Sequence, residues 1–184
     1  ASMKTKLNKR TIAGLGIACI TLLLTGLLIW ISLVVQAQQG PPRPGGSATD
    51  RISRGLYFGQ RIVQVGPVES SEQESQLVLG LLVNAAANNY RSGLEEIEEY
   101  LRVRTNSPWA PSLDAALGKH YFDTGRYSLA LEHWELAWVA TRNYESGNGK
   151  RAADYTLAHW ARLLASLGRY ETLVALIQEN RTRI

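Results

Sequence analysis

One cysteine, Cys19, occurs in 184 residues, and it lies inside an apolar run. A disulfide framework and a thiolate metal site are both excluded. No HExxH is present, and no two of His120, His133 and His159 are spaced i, i+4, so no helix carries a two-histidine metal face. A glycine-rich phosphate loop and a GxSxG elbow are also missing. No carboxylate pair stands alone in an apolar setting, where a raised pKa would suit acid–base work. No cofactor and no enzymatic activity is expected. Charge is scarce at one end: before Arg43 the only charged residues are Lys4, Lys6, Lys9 and Arg10. Without those four cations, 16 of the 20 basic residues face 16 acidic ones. The basic pI of about 9.3 is therefore a property of the leading segment. With no basic stripe interleaved with aromatics, nucleic acid is not an expected partner.

What is present begins with that lead. Residues 1–10 are basic, and Ala1-Ser2 read as an addition ahead of a natural start at Met3. Residues 11–36 form a transmembrane helix or a signal peptide. Within them 12–35 carry no charge, and a helix of that length reaches about 36 Å against a hydrocarbon core of about 30 Å. The cations before it place the N-terminus in the cytoplasm and the rest outside, in the periplasm of a bacterial-type envelope. Gly14 and Ala18 offer a small-residue seam for another membrane helix. Val35-Gln36-Ala37 is also a plausible leader-peptidase site, so secretion after cleavage near Ala37 stays open. Residues 37–68 are expected to be a Pro/Gly-rich linker and extended segment, with RIVQV as a possible short strand.

From residue 69 to 184 the pattern is helical. Ser71 with Glu74, and Ser92 with Glu95, each look like a capping box. The acidic run Glu95–Glu99 reads as a solvated face complementing a helix dipole. Between 111 and 141, Leu113, Leu117 and Tyr121 share one face. Leu129, Trp134 and Ala137 line a second helix, and Gly125 supplies the left-handed turn residue between them.

Leu117-Gly118, Tyr121, Gly125, Tyr127, Ala130, Trp134 and Ala137 stand at the spacing of one repeat of the tetratricopeptide (TPR) family, which this stretch resembles. Trp134 stands where the family usually has Phe, and the late Pro is replaced by Arg142. Tyr90 and Tyr170 are expected counterparts of Tyr127. They lie 37 and 43 residues away, against a repeat of about 34, so loops are inserted. The expected fold is all-α, a TPR-like α-solenoid of about three helical hairpins behind one N-terminal membrane or signal helix. The hairpins are also similar to helical segments that follow the export signal of very large bacterial surface proteins with peptidase or RHS-type domains.

The resemblance implies a non-catalytic scaffold or accessory subunit that binds a peptide or partner helix in the concave groove. The family's groove positions map here onto Val78, Leu82, Ala85 and Ala86, then Ser112, Ala115, Lys119, Phe122 and Asp123, then Tyr155, Ala158, His159, Arg162 and Ser166. Lys119 and Arg162 are equivalent in consecutive repeats, and two cations on one wall suit a carboxylate or an acidic peptide. Lys119, Arg162, Phe122, Tyr155, His159 and Asp123 are the candidate partner-binding residues. The expected final helix carries Leu173, Val174 and Ile177 with no helix after it to cover them.

Overall fold

The computed structural model describes residues 46–181. The basic lead, the uncharged run and most of the Pro/Gly stretch lie outside the described residues. So do the expectations of a membrane span, a cleavage site and an N-terminal membrane-complex contact. Among the described residues no helix is long and apolar enough to cross a membrane.

The fold is all-α. Among the described residues seven helices follow one another: α1 (Ala48–Arg54), α2 (Glu72–Ala87), α3 (Leu94–Val103), α4 (Ala110–Asp123), α5 (Tyr127–Thr141), α6 (Gly147–Ser166) and α7 (Tyr170–Glu179). Helix α4 packs on α5 and α6, α5 packs on α6, and α6 packs on α7; α1 packs on α2, and α2 on α3. The core runs through all of them, with Leu82, Ile97, Trp109, Leu113, Leu117, Trp134 and Leu163 among its buried members.

The α4–α5 pair is built as its residues suggest. Gly125 takes φ +77. Its N–H donates to the Phe122 carbonyl at 3.1 Å and that of Arg126 to the Tyr121 carbonyl at 2.7 Å, the paired bonds of a Schellman turn. Helix α5 starts at the next residue. Gly118 allows the two helices to close, because a Cβ there would collide with Cδ1, Cγ and Nε1 of Trp134. The Trp134 indole N–H donates to the Ala115 carbonyl at 3.2 Å. The turn after α6 repeats the pattern, with Gly168 at φ +68 and the Arg169 N–H donating to the Leu164 carbonyl at 2.9 Å.

Three expectations need correction. Within the described residues 46–68 the segment is packed and not extended throughout. Residues 48–54 are helical, and Ile52, Tyr57, Phe58, Ile62 and Val65 are buried. RIVQV is not a strand; it runs extended along α4. There the Ser112 hydroxyl accepts from the Val63 N–H at 3.1 Å and donates to its carbonyl at 2.7 Å, and the Val65 N–H donates to the Pro108 carbonyl at 2.8 Å. Helix side chains and loop carbonyls thus supply the partners that a neighbouring strand would give. Of the two capping boxes, Ser71 does accept from the Glu74 N–H at 3.1 Å. Ser92 caps nothing: the N-cap of α3 is Gly93 at φ +84, which lies so near α2 that a Cβ would crowd the Ala85 backbone.

Tyr90 is not folded like Tyr127 and Tyr170. The latter two begin α5 and α7 and are 45% and 65% exposed. Tyr90 stands at φ +57 three residues before Gly93. Its ring meets that of Phe58 at 4.2 Å, and its hydroxyl accepts from the Phe58 N–H at 3.0 Å. Phe58 is itself left-handed at φ +54, beside Gly59 at φ +76. Tyr57 and Gln60 exchange backbone bonds of 2.8 and 3.0 Å around these two, as a type I′ turn requires. A bulky side chain is strained there, and burial of the Phe58 ring against the half-buried Tyr90 offsets it.

Candidate functional site

Helical periodicity brings Ser112, Ala115, Lys119 and Asp123 to one side of α4, and Asn148, Arg151, Tyr155, His159 and Arg162 to one side of α6. The extended segment 60–63 lies across the first of these sides. Ser112 and Ala115 are buried there, and Val78, Leu82 and Ala85 are buried on α2. Val78, Leu82 and Ala85 are unavailable to a partner, contrary to the groove mapping, and Ser112 and Ala115 keep only an edge on a cavity. The Asn148 amide donates to the Gln64 carbonyl at 3.1 Å and ties the segment to α6 as well. Sequence reasoning missed this because hydrogen bonds spanning 49 and 84 residues leave no local pattern.

What stays open is a channel beside that segment. One cavity of about 640 Å³ is lined by Gln60, Arg61, Val63, Ser112, Arg151 and Tyr155, among others. A smaller one of about 290 Å³ is lined by Phe58, Gly59, Tyr90, Lys119, His120, Asp123 and Tyr155. Tyr155 borders both.

Five of the six candidate residues converge there. Lys119 and Asp123 form an ion pair one helical turn apart. The His159 ring lies 4.3 Å from that of Tyr155 and 5.7 Å from that of Trp134. Burial holds the His159 pKa below the usual imidazole value, and the Lys119 and Arg162 cations push the same way against Asp123. The two cations thus act on one imidazole. Burial, aided by Asp123, lifts the Tyr155 hydroxyl to about 12, so it remains a neutral donor. Phe122 does not join the group in the same way. It is half-buried, with Tyr127 at 5.9 Å and Trp134 at 5.8 Å, and lines neither cavity. Arg61 and Arg151, which the sequence did not single out, add two more cations. Among the described residues neither they nor Arg162 has a carboxylate in ion-pair range.

Away from the channel, His133 sits buried against Asp114, with Nδ1 2.9 Å from a carboxylate oxygen. Its Nε2 is 3.8 Å from the Glu98 carboxylate, which accepts from the Tyr121 hydroxyl. Burial raises the Asp114 pKa, and the bond to His133 opposes it. No group of three metal-ligating side chains occurs among the described residues. No family model, no curated protein and no solved structure matches this chain.

Proposed function

We propose that the chain is a membrane-tethered, extracytoplasmic interaction module of TPR-like build. It would hold an extended acidic segment of a partner protein in the channel between residues 58–63 and α6, without catalysis. The observation that carries this reading is the row Arg61, Arg151, Lys119 and Arg162 around Tyr155 and His159, with Asp123 the one carboxylate that the two cavities take in. Such cations form charge-assisted bonds with carboxylates, and the Tyr155 hydroxyl adds a neutral donor. The tether rests on the uncharged run 12–35 behind four cations. The 43-residue offset that superposes Lys119 on Arg162 and Gly125 on Gly168 supports the repeat reading.

Fluorescence anisotropy with an unstructured Glu-rich peptide tests the channel. The double variant Lys119→Glu/Arg162→Glu should weaken binding by about ten-fold or more, the loss of roughly one charge-assisted contact, at unchanged thermal stability. Unchanged affinity counts against the proposal. A pH series adds a second check. The lowered His159 pKa means that the free protein holds this imidazole neutral to lower pH than an unperturbed imidazole. A bound anion would screen Lys119 and Arg162 and raise that pKa, so binding would take up a proton. Affinity should therefore increase as pH falls from about 7 to 5, and His159→Gln should flatten the increase.

A further inference from the structure

The groups facing away from the channel form a second surface. On α4, Ala110, Pro111 and Asp114 lie on the side opposite Ser112, Ala115 and Lys119. They floor a cleft of about 520 Å³ whose walls are Glu98, Leu101 and Arg102 of α3 and Leu129, Glu132, His133, Leu136 and Ala140 of α5. The α5 residues recur at i, i+3, i+4, i+7 and i+11, the spacing of a seam against another helix. Leu136 is 52% exposed and its neighbour Val139 57%.

The polar end of the cleft selects the sign of its occupant. Asp114 holds the His133 Nδ1 at 2.9 Å, and Nε2 faces the Glu98 carboxylate at 3.8 Å. The His133 side chain is nine-tenths buried, its ring is held by stacking on Tyr121 at 5.4 Å, and Nε2 has no hydrogen-bond partner among the described residues. The Glu98 carboxylate stands beside it, beyond hydrogen-bond reach. The carboxylates Glu98 and Glu132 at an otherwise apolar cleft favour a cationic side chain. Glu132 on the rim has no ion-pair partner among the described residues, whereas Arg102 is already matched to Glu99 at 2.6 Å.

We infer that the α3–α5 cleft docks a basic amphipathic helix of a partner protein. Its apolar side chains lie on Leu101, Leu129 and Leu136, and a Lys or Arg head reaches Glu98 and Glu132. From Leu129 to Ala140 the seam is about 17 Å long, three helical turns, the scale of helix-in-groove recognition. This surface uses none of the channel residues and stands or falls separately from them.

The test uses the full chain with p-benzoylphenylalanine at Ala140, and at Val174 as a control, photolysed with a helical peptide of about 18 residues made of Leu and Lys at amphipathic spacing. Crosslinking is expected at position 140 and not at 174, and not with the matching Leu/Glu peptide. Glu98→Gln/Glu132→Gln, which keeps shape and the bond to Tyr121, should lower the yield about ten-fold, a loss of the size expected for two charge contacts. Leu136→Lys on the exposed seam should abolish it. Lys119→Glu/Arg162→Glu should leave it unchanged. Equal yields with the Leu/Lys and Leu/Glu peptides, indifference to the Gln variants, or no crosslink at 140 would overturn the inference. A crosslink at 140 joining two copies of the chain would overturn it in favour of a dimer seam.

Discussion

The hairpin α4–α5 and the hairpin α2–α3 use the same closing bonds but different means of staying closed. After α4, the Gly125 and Arg126 N–H groups return to Phe122 and Tyr121; after α2, those of Asn89 and Tyr90 return to Ala86 and Ala85. In the first case the next helix starts at once, and Gly118 lets Trp134 fill the space between the two helices. In the second, Arg91, Ser92 and Gly93 intervene before Leu94. The first hairpin then leans on chain far away. Glu72 accepts from the Ala48 N–H at 3.1 Å, Thr49 and Ser75 share a hydroxyl bond of 3.0 Å, and Tyr90 covers Phe58. One pair carries its own wedge; the other borrows residues 48–65.

The largest effect that sharpens this contrast is expected at Trp134. It is fully buried and bonded to Ala115, and Trp134→Ala should cost about 4 kcal/mol in urea denaturation of the full chain. A loss under about 1 kcal/mol would mean that the middle pair is held from outside, like the first.

Next comes Ile62, also fully buried. Ile62→Ala should cost about 3 kcal/mol. Were the chain around Ile62 an unpacked tether, the change would fall within about 0.5 kcal/mol, so this measurement separates a borrowed wall from a tether. Ser112→Ala, which removes both bonds to Val63, should cost about 1 kcal/mol by leaving a part-buried backbone pair unmatched.

These sites also mark what the sequence could reveal. The Leu117–Ala137 spacing gave the middle hairpin because its partners lie within one helical hairpin and repeat with helical period. Lys119, Asp123, Tyr155, His159 and Arg162 were legible for the same reason, each being a position on a periodic face. Burial of Ser112 and Ala115 was not legible, since it depends on residues about 50 positions earlier. Tyr90 misled: its resemblance to Tyr127 is one of sequence neighbours, while its backbone and contacts belong to Phe58. His133 was read only for metal spacing, and its pairing with Asp114, 19 residues away on the facing helix, has no signature in i, i+4 terms.

The smallest effect probes the turns themselves. Gly125 and Asn89 occupy the same left-handed position after α4 and α2, at φ +77 and φ +50. Nothing lies within 4 Å of a Cβ built at Gly125, so Gly125→Ala meets no clash and reports only the backbone preference, about 1 kcal/mol of destabilisation. Gly168→Ala should match it, because the bonds around Gly168 repeat those around Gly125. Asn tolerates this conformation better than other side chains, so Asn89→Gly should stay within about 0.5 kcal/mol in either direction. A larger loss at Asn89 would mean that its side chain, rather than the strip of residues 48–65, holds the first turn in place.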